Sequence, residues 1–173
     1  SELVPETSSI VDIGAGRSML LPSLLSNGYK HLTHVEWSHS ASLKMQKNLG
    51  KQSSQINWFV GDLLNWKPDR PVDLWHDRAV FHFRIDSDSV NQYLKSLHQC
   101  VSHGGHILLA TFHLDGPEKC SGLPVKRYDA ELMLNTLNAY DSSNWVEVDS
   151  ATWDHKTPSG GEQKFQYLLA QRN

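Results

Sequence analysis

Asp12-Ile13-Gly14-Ala15-Gly16-Arg17-Ser18 is the stretch best suited to holding a small charged ligand. It follows a short apolar run and opens a segment with helical spacing. Gly14 and Gly16 let the backbone bend sharply and approach a ligand where a Cβ would clash. A helix N-terminus behind them would offer free N–H groups to a carboxylate or phosphate. A dinucleotide fingerprint needs a third glycine, and that position is Met19. The acid two residues before the first glycine suits the ammonium of an amino-acid moiety and would repel a pyrophosphate. The turn therefore favours S-adenosylmethionine over NAD, and the remaining alternative is a turn that merely needs its glycines.

Glu36 lies 24 residues after Asp12. At the end of a second strand, an acid accepts hydrogen bonds from ribose hydroxyls. NAD sites share that feature, so Glu36 alone does not separate the two ligands. Trp37 beside it is either a face for adenine or a core residue at a strand end.

These side chains need strands to carry them. Residues 10–13, 31–36, 56–60, 72–76 and 106–112 read as strands. Helices are expected over 18–28, 38–50, 89–102 and 129–140, with Ser38 or Ser40 capping the second and Gly104-Gly105 stopping the third. Residues 146–153 and 164–170, joined by Thr157-Pro158-Ser159-Gly160-Gly161, carry a hairpin signature. The alternation predicts an α/β, Rossmann-like fold. Its sheet is seven-stranded and mostly parallel, with a C-terminal antiparallel β-hairpin.

The 173 residues fit one domain, 1–173. A chain 39% hydrophobic and 20% charged is neither disordered nor fibrous. A formal charge of −3 disfavours a protein held on nucleic acid by bulk charge. No apolar run approaches the roughly 20 residues of a membrane span. Cys100 and Cys120 form neither a disulfide scaffold nor a zinc spacing, and the histidines show no H-x-x-x-H or H-x-H pair, so no metal is expected. The expectation is a soluble, cytoplasmic protein.

A five-strand α/β core followed by a hairpin resembles the class I S-adenosylmethionine-dependent methyltransferases. The segment Asp73-Leu74-Trp75-His76-Asp77-Arg78-Ala79-Val80-Phe81-His82-Phe83 resembles, more narrowly, a family of small, mostly bacterial members of that class. The likeness continues at Gly104-Gly105-His106, Ala110-Thr111-Phe112 and Asp115-Gly116-Pro117. It runs on through Cys120-Ser121-Gly122-Leu123-Pro124-Val125-Lys126-Arg127-Tyr128 and Thr157-Pro158-Ser159-Gly160, covering nearly the whole chain. The resemblance implies S-adenosylmethionine as cofactor, held by Asp12, Gly14, Gly16, Glu36, Trp37, Asp62 and Leu63. In that class the position of Asp62 hydrogen-bonds the adenine amino group; the plain alternative is a turn cap. The class also carries a helix or two before the first strand, so such a segment is expected to be missing here.

The resemblance leaves the acceptor open between a small-molecule thiol-type nucleophile and a protein lysine. Enzymes that methylate amino groups of DNA or glutamine carry [DN]-P-P-[YFW] after the fourth strand, and this chain has Trp75-His76-Asp77-Arg78. Thiopurine-type methyltransferases have a similar Asp-Arg there, and a Gly-Pro-Pro loop loosely like Gly122-Leu123-Pro124. Methyl transfer is an in-line displacement, assisted by approach geometry and sometimes a base. His76 and His82 are the candidate bases, each with a structural alternative. Asp77 and Arg78 could form a buried ion pair shaping the pocket. Arg127 and Tyr128, on the loop after the fifth strand, are candidates for substrate recognition. Phe81 and Phe83 either cover the methyl group or belong to the core. Cys120 has no paired base in sequence to make it a nucleophile. The rival classes are an NAD-linked oxidoreductase and a non-catalytic S-adenosylmethionine-binding module.

Overall fold

In the computed structural model the described residues are 3–16, 18–140, 144–157 and 160–173. Arg17 of the glycine turn and Pro158-Ser159 at the expected hairpin tip lie outside them. Five parallel strands, β1 (Ser9–Ile13), β2 (His31–Glu36), β3 (Ile56–Val60), β4 (Val72–Arg78) and β5 (Val101–Phe112), form the frame. A two-residue ladder, β6 (Lys119–Cys120) with β7 (Leu123–Pro124), follows β5. The chain then returns through β8 (Trp145–Lys156) and β9 (Glu162–Arg172), and β9 inserts antiparallel between β5 and β8. The seven-stranded order is β3-β2-β1-β4-β5-β9-β8, the expected mostly parallel sheet with a terminal antiparallel pair.

Strand alternation sorts the core onto two faces. Val11, Ile13, Trp75 and Leu168 pack under α3 (Ser87–Cys100) and α4 (Ala130–Asn138). Ile10, Leu32, Ile56 and Leu74 form the opposite layer with Leu21 of α1 (Leu20–Ser26) and Leu49 of α2 (His39–Leu49). Among the described residues no helix is long and apolar enough to cross a membrane.

The element ends depart from expectation for local reasons. The first helix begins at Leu20, not at Ser18. Pro22 has no N–H to donate and is tolerated only in a first turn, which sets the start. Ser38 accepts from Ala41 N and caps α2, as one of the two expected serines. The third helix starts two residues early because Asp86 accepts from Ser89 N as its cap. It also ends before the glycines. Val101 is already extended, and Gly104-Gly105 fall inside β5, where register jumps between Val72↔Val101 and Leu74↔His106. Ser121 and Gly122, at φ 52° and 82°, make a left-handed two-residue turn between β6 and β7.

Candidate functional site

In an open parallel sheet, ligands gather beyond the carboxyl ends of the strands, where neighbouring connections diverge to opposite faces. Here that point is the end of β1, between β2 and β4. A cavity of about 370 Å³ opens there, lined on one side by Asp12, Ile13, Gly14, Ala15, Gly16 and Ser18. His76, Arg78, Ala79, Cys120, Gln163 and Phe165 line its other side. A smaller cleft of about 130 Å³ shares Ile13 and Gly14 and continues past Glu36, Trp37, Asp62, Leu63, Val80 and Arg84. Another cleft of about 280 Å³, with Ser9, His31 and Arg70, sits at the opposite ends of the strands and touches none of the glycine turn.

The turn is locked by its own hydrogen bonds. Gly14 N donates to Val35 O at 2.8 Å, and Gly16 N donates to Glu36 Oε2 at 2.8 Å. The other oxygen, Glu36 Oε1, accepts from Ser38 N at 2.8 Å. The Glu36 carboxylate thus ties the glycine turn to the end of β2, while each oxygen keeps a lone pair for a ligand hydroxyl. Gly14 is obligatory: its φ is +61°, and a Cβ there would lie 2.1 Å from Val80 Cγ2. The cradle comes from the turn's backbone, not from a helix end; Ser18 Oγ accepts from Leu20 N at the short approach to α1.

Asp12 is almost fully buried, and its Oδ1 lies 2.7 Å from His76 Nδ1. Its Oδ2 is buried and has no hydrogen-bond partner. A buried carboxylate oxygen with nothing to accept is costly unless a donor arrives. The ammonium of an amino-acid moiety can donate to that oxygen, and an ionised phosphate would be repelled by it. Asp62 Oδ1 caps the turn at Leu63 by accepting from Leu64 N, leaving Oδ2 for an amino donor. Trp37, 73% exposed, presents a face beside the smaller cleft. These residues are of types that could hold S-adenosylmethionine: Asp12 its ammonium, Glu36 its ribose, and Asp62, Trp37 and Leu63 its adenine.

Several residues expected at the acceptor are occupied elsewhere. Asp77 is fully buried and forms no pair with Arg78, because successive strand residues point to opposite faces. Its carboxylate accepts from Val80 N, Phe81 N and Tyr93 Oη, and burial pushes its pKa up to about 6. It shapes the turn after β4. His82 is fully buried against Phe83 and Phe112, with neither ring nitrogen hydrogen-bonded, and burial pushes its pKa down to about 4. It is a neutral core imidazole and not a base at the cavity edge. Arg127 donates to Gly116 O and pairs with Glu118 at 3.3 Å, bracing its own loop outside the cavity lining. Tyr128 and Phe81 pack on each other in the core, and Phe83 packs with Ala110 and Phe112. Cys120 does reach the cavity, with its thiol pKa raised by burial.

Of the expected acceptor residues, His76 and Arg78 line the cavity. The sequence reading missed Ala79, Val80, Arg84, Gln163 and Phe165. Ala79 adopts φ 69°, which no residue-type signal announces. The last two were within reach of topology. A strand antiparallel to β5 must begin at the carboxyl end of its neighbours, which brings Phe165 opposite Phe112.

Residues 10–105 match the family described as "Methyltransferase domain". The mouse EEF1A lysine methyltransferase 2 is 27% identical over 117 residues, which cover 62% of this chain and 47% of that protein. The chain thus spans about half the length of the curated relative it matches. Among solved structures, the Burkholderia thailandensis 1,6-didemethyltoxoflavin-N1-methyltransferase, with its substrate and S-adenosylhomocysteine bound, superposes with a TM-score of 0.72. It is 17% identical, with 96% of this chain and 72% of that one covered. The glycopeptide N-methyltransferase MtfA, complexed with S-adenosylmethionine, gives 0.71 at 13% identity, with 99% and 90% covered. At these identities the structures share the fold.

Proposed function

Given that the chain belongs to the methyltransferase domain family, we propose that it transfers a methyl group from S-adenosylmethionine to an acceptor in the cavity beside β4. Residues 1–173 act as one such domain, and with both cysteines free a reducing, cytoplasmic setting suits it. The observation that carries the reading is the buried, unpartnered Asp12 Oδ2 beside Gly14, where a Cβ would meet Val80 Cγ2 at 2.1 Å.

Asp12 takes the cofactor's ammonium, and Gly14 and Gly16 bring their backbone against it. Glu36 accepts from the ribose hydroxyls, and Asp62, Trp37 and Leu63 hold the adenine. When bound, S-adenosylmethionine supplies an electrophilic methyl carbon on a sulfonium. His76 steadies Asp12, Arg78 and Phe165 form the acceptor wall, and the packed strand ends exclude water from the approach. The acceptor is a small-molecule thiol-type nucleophile or a protein lysine.

Calorimetric titration with S-adenosylmethionine, S-adenosylhomocysteine and NAD tests this directly. Both sulfur ligands should bind, and Glu36→Ala should weaken them. Binding of NAD alone would overturn the reading in favour of an oxidoreductase. Cofactor binding with no transfer to any thiol or lysine acceptor would leave a binding module.

A further inference from the structure

The acceptor wall carries a charge that distinguishes between the two acceptors, provided the methyltransferase reading holds. Arg78 stands exposed at the end of β4, two residues beyond His76 on the same face. It makes no ion pair among the described residues, and its guanidinium lies 5.3 Å from the centre of the Phe165 ring. Two basic side chains of the neighbouring elements are already matched. Arg127 pairs with Glu118, and Lys164 with Asp115. On the cofactor side, the one carboxylate among the described lining residues is Asp12, engaged by His76 at one oxygen and suited to the cofactor's ammonium at the other. The acceptor side is therefore left with an unmatched cation over an apolar ring.

A lysine acceptor needs the opposite surroundings. Its ammonium must come beside the guanidinium at a cost in repulsion, and it must give up a proton to a base before its nitrogen can attack. Asp77 and His82 are sealed in the core, and with His76 Nδ1 turned to Asp12 only its Nε2 is left among these candidates to take that proton, beside the Arg78 guanidinium. A thiolate needs no such base.

We propose that the acceptor is a small thiol bearing a carboxylate, with Arg78 holding the carboxylate through paired N–H donors and Phe165 providing the apolar wall behind it. The thiolate sulfur attacks the methyl carbon. As the new S–CH3 bond forms, the bond from that carbon to the sulfonium breaks and its electron pair stays on the departing sulfur. The products are a neutral thioether group and S-adenosylhomocysteine. A proton leaves to solvent only when the acceptor enters as the thiol.

2-Mercaptobenzoate and its uncharged counterpart thiophenol are the probes, with a lysine peptide as the third arm. Binding is read calorimetrically in the presence of S-adenosylhomocysteine, and methylation by mass on sulfur or nitrogen. The wild type should favour mercaptobenzoate over thiophenol. Arg78→Gln should raise its KM and dissociation constant by roughly 10- to 100-fold, with the S-adenosylhomocysteine affinity unchanged and Arg78→Lys intermediate. Equal use of the two thiols, preference for the lysine peptide, or indifference to Arg78→Gln would overturn the proposal. So would an equal loss of S-adenosylhomocysteine affinity in Arg78→Gln, which would assign the guanidinium to the cofactor. Failure of the wild type to bind S-adenosylhomocysteine at all would instead overturn the methyltransferase reading on which the proposal rests.

Discussion

Asp12 Oδ1 and His76 Nδ1 meet at 2.7 Å across adjacent parallel strands, at a position where the two residues are register partners. The contact fixes one carboxylate oxygen and so leaves the other, buried and unpartnered, at the cavity. A binding group held in this way loses little freedom when its ligand arrives. On the proposed reading, Asp12→Asn removes the charge that meets the cofactor's ammonium and should weaken S-adenosylmethionine by roughly 10- to 100-fold. His76→Ala keeps the charge but releases its orientation, and should cost roughly 10-fold or less. Titration of both variants measures this, and unchanged affinity in Asp12→Asn would remove Asp12 from the cofactor.

Gly14 makes a sharper test of the cradle. An alanine there meets Val80 Cγ2 at 2.1 Å and must hold φ +61°. The backbone strain alone is about 1–2 kcal/mol, and the clash adds to it by pushing the turn after β4 away from the cavity. Gly14→Ala should lower the melting temperature and abolish measurable cofactor binding. Gly14→Ala with Val80→Ala relieves the clash but not the strain, so it should regain much of the stability. Full stability in the single variant would show that the turn has room the geometry denies.

That the residues proposed for the cofactor gather along two adjoining clefts was legible in the sequence because their placement is local. Asp12, Gly14, Gly16, Glu36 and Asp62 each end a strand or open the turn after it, so strand spacing alone aligns them. The acceptor half depends on which strand face a residue takes and on what lies over it. His82 and Asp77 sit in the motif-like 73–83 segment, yet one is buried by Phe112 of β5 and the other is claimed by Tyr93 of α3. Phe165 arrives from 87 residues beyond Arg78 because β9 runs antiparallel to β5. Gly104-Gly105 misled for a related reason. Glycines that look like a helix stop are, in the sheet, the irregular stretch that shifts β5 against β4.

Trp75 Nε1 donates to Tyr93 Oη, which donates to Asp77 Oδ2, a buried relay between β4 and α3. Tyr93→Phe leaves the indole N–H without its acceptor and takes one donor from the carboxylate. The expected cost at pH 7 is about 2–3 kcal/mol. Burial raises the folded pKa of Asp77 to about 6, above its unfolded value. The folded state therefore binds the proton more tightly, and this contribution is present below about pH 4 and is lost as pH rises through 6. The deficit of Tyr93→Phe should accordingly shrink at pH 5, where Asp77 is largely neutral. Urea unfolding at the two pH values measures it, and a deficit independent of pH would place the cost on Trp75 alone.

His82 titrates with the opposite sign. Burial lowers its folded pKa to about 4, below the unfolded value, so its contribution is present above about pH 6.5 and is lost as pH falls through 4. Between pH 4 and 6 it opposes Asp77, and the wild type's acid limb reflects their difference. Leucine matches the imidazole roughly in volume and has no polar atoms to leave unpaired. His82→Leu should therefore stabilise the protein by about 1–3 kcal/mol at pH 7. The gain should grow toward pH 4.5, because the unfolded wild type takes up a proton that the folded one refuses. Methyl transfer should persist in this variant, since the ring lies outside the cavity lining. A stabilised but inactive His82→Leu would return His82 to the chemistry. A destabilised one would mean that the two ring nitrogens have hydrogen-bond partners in solution.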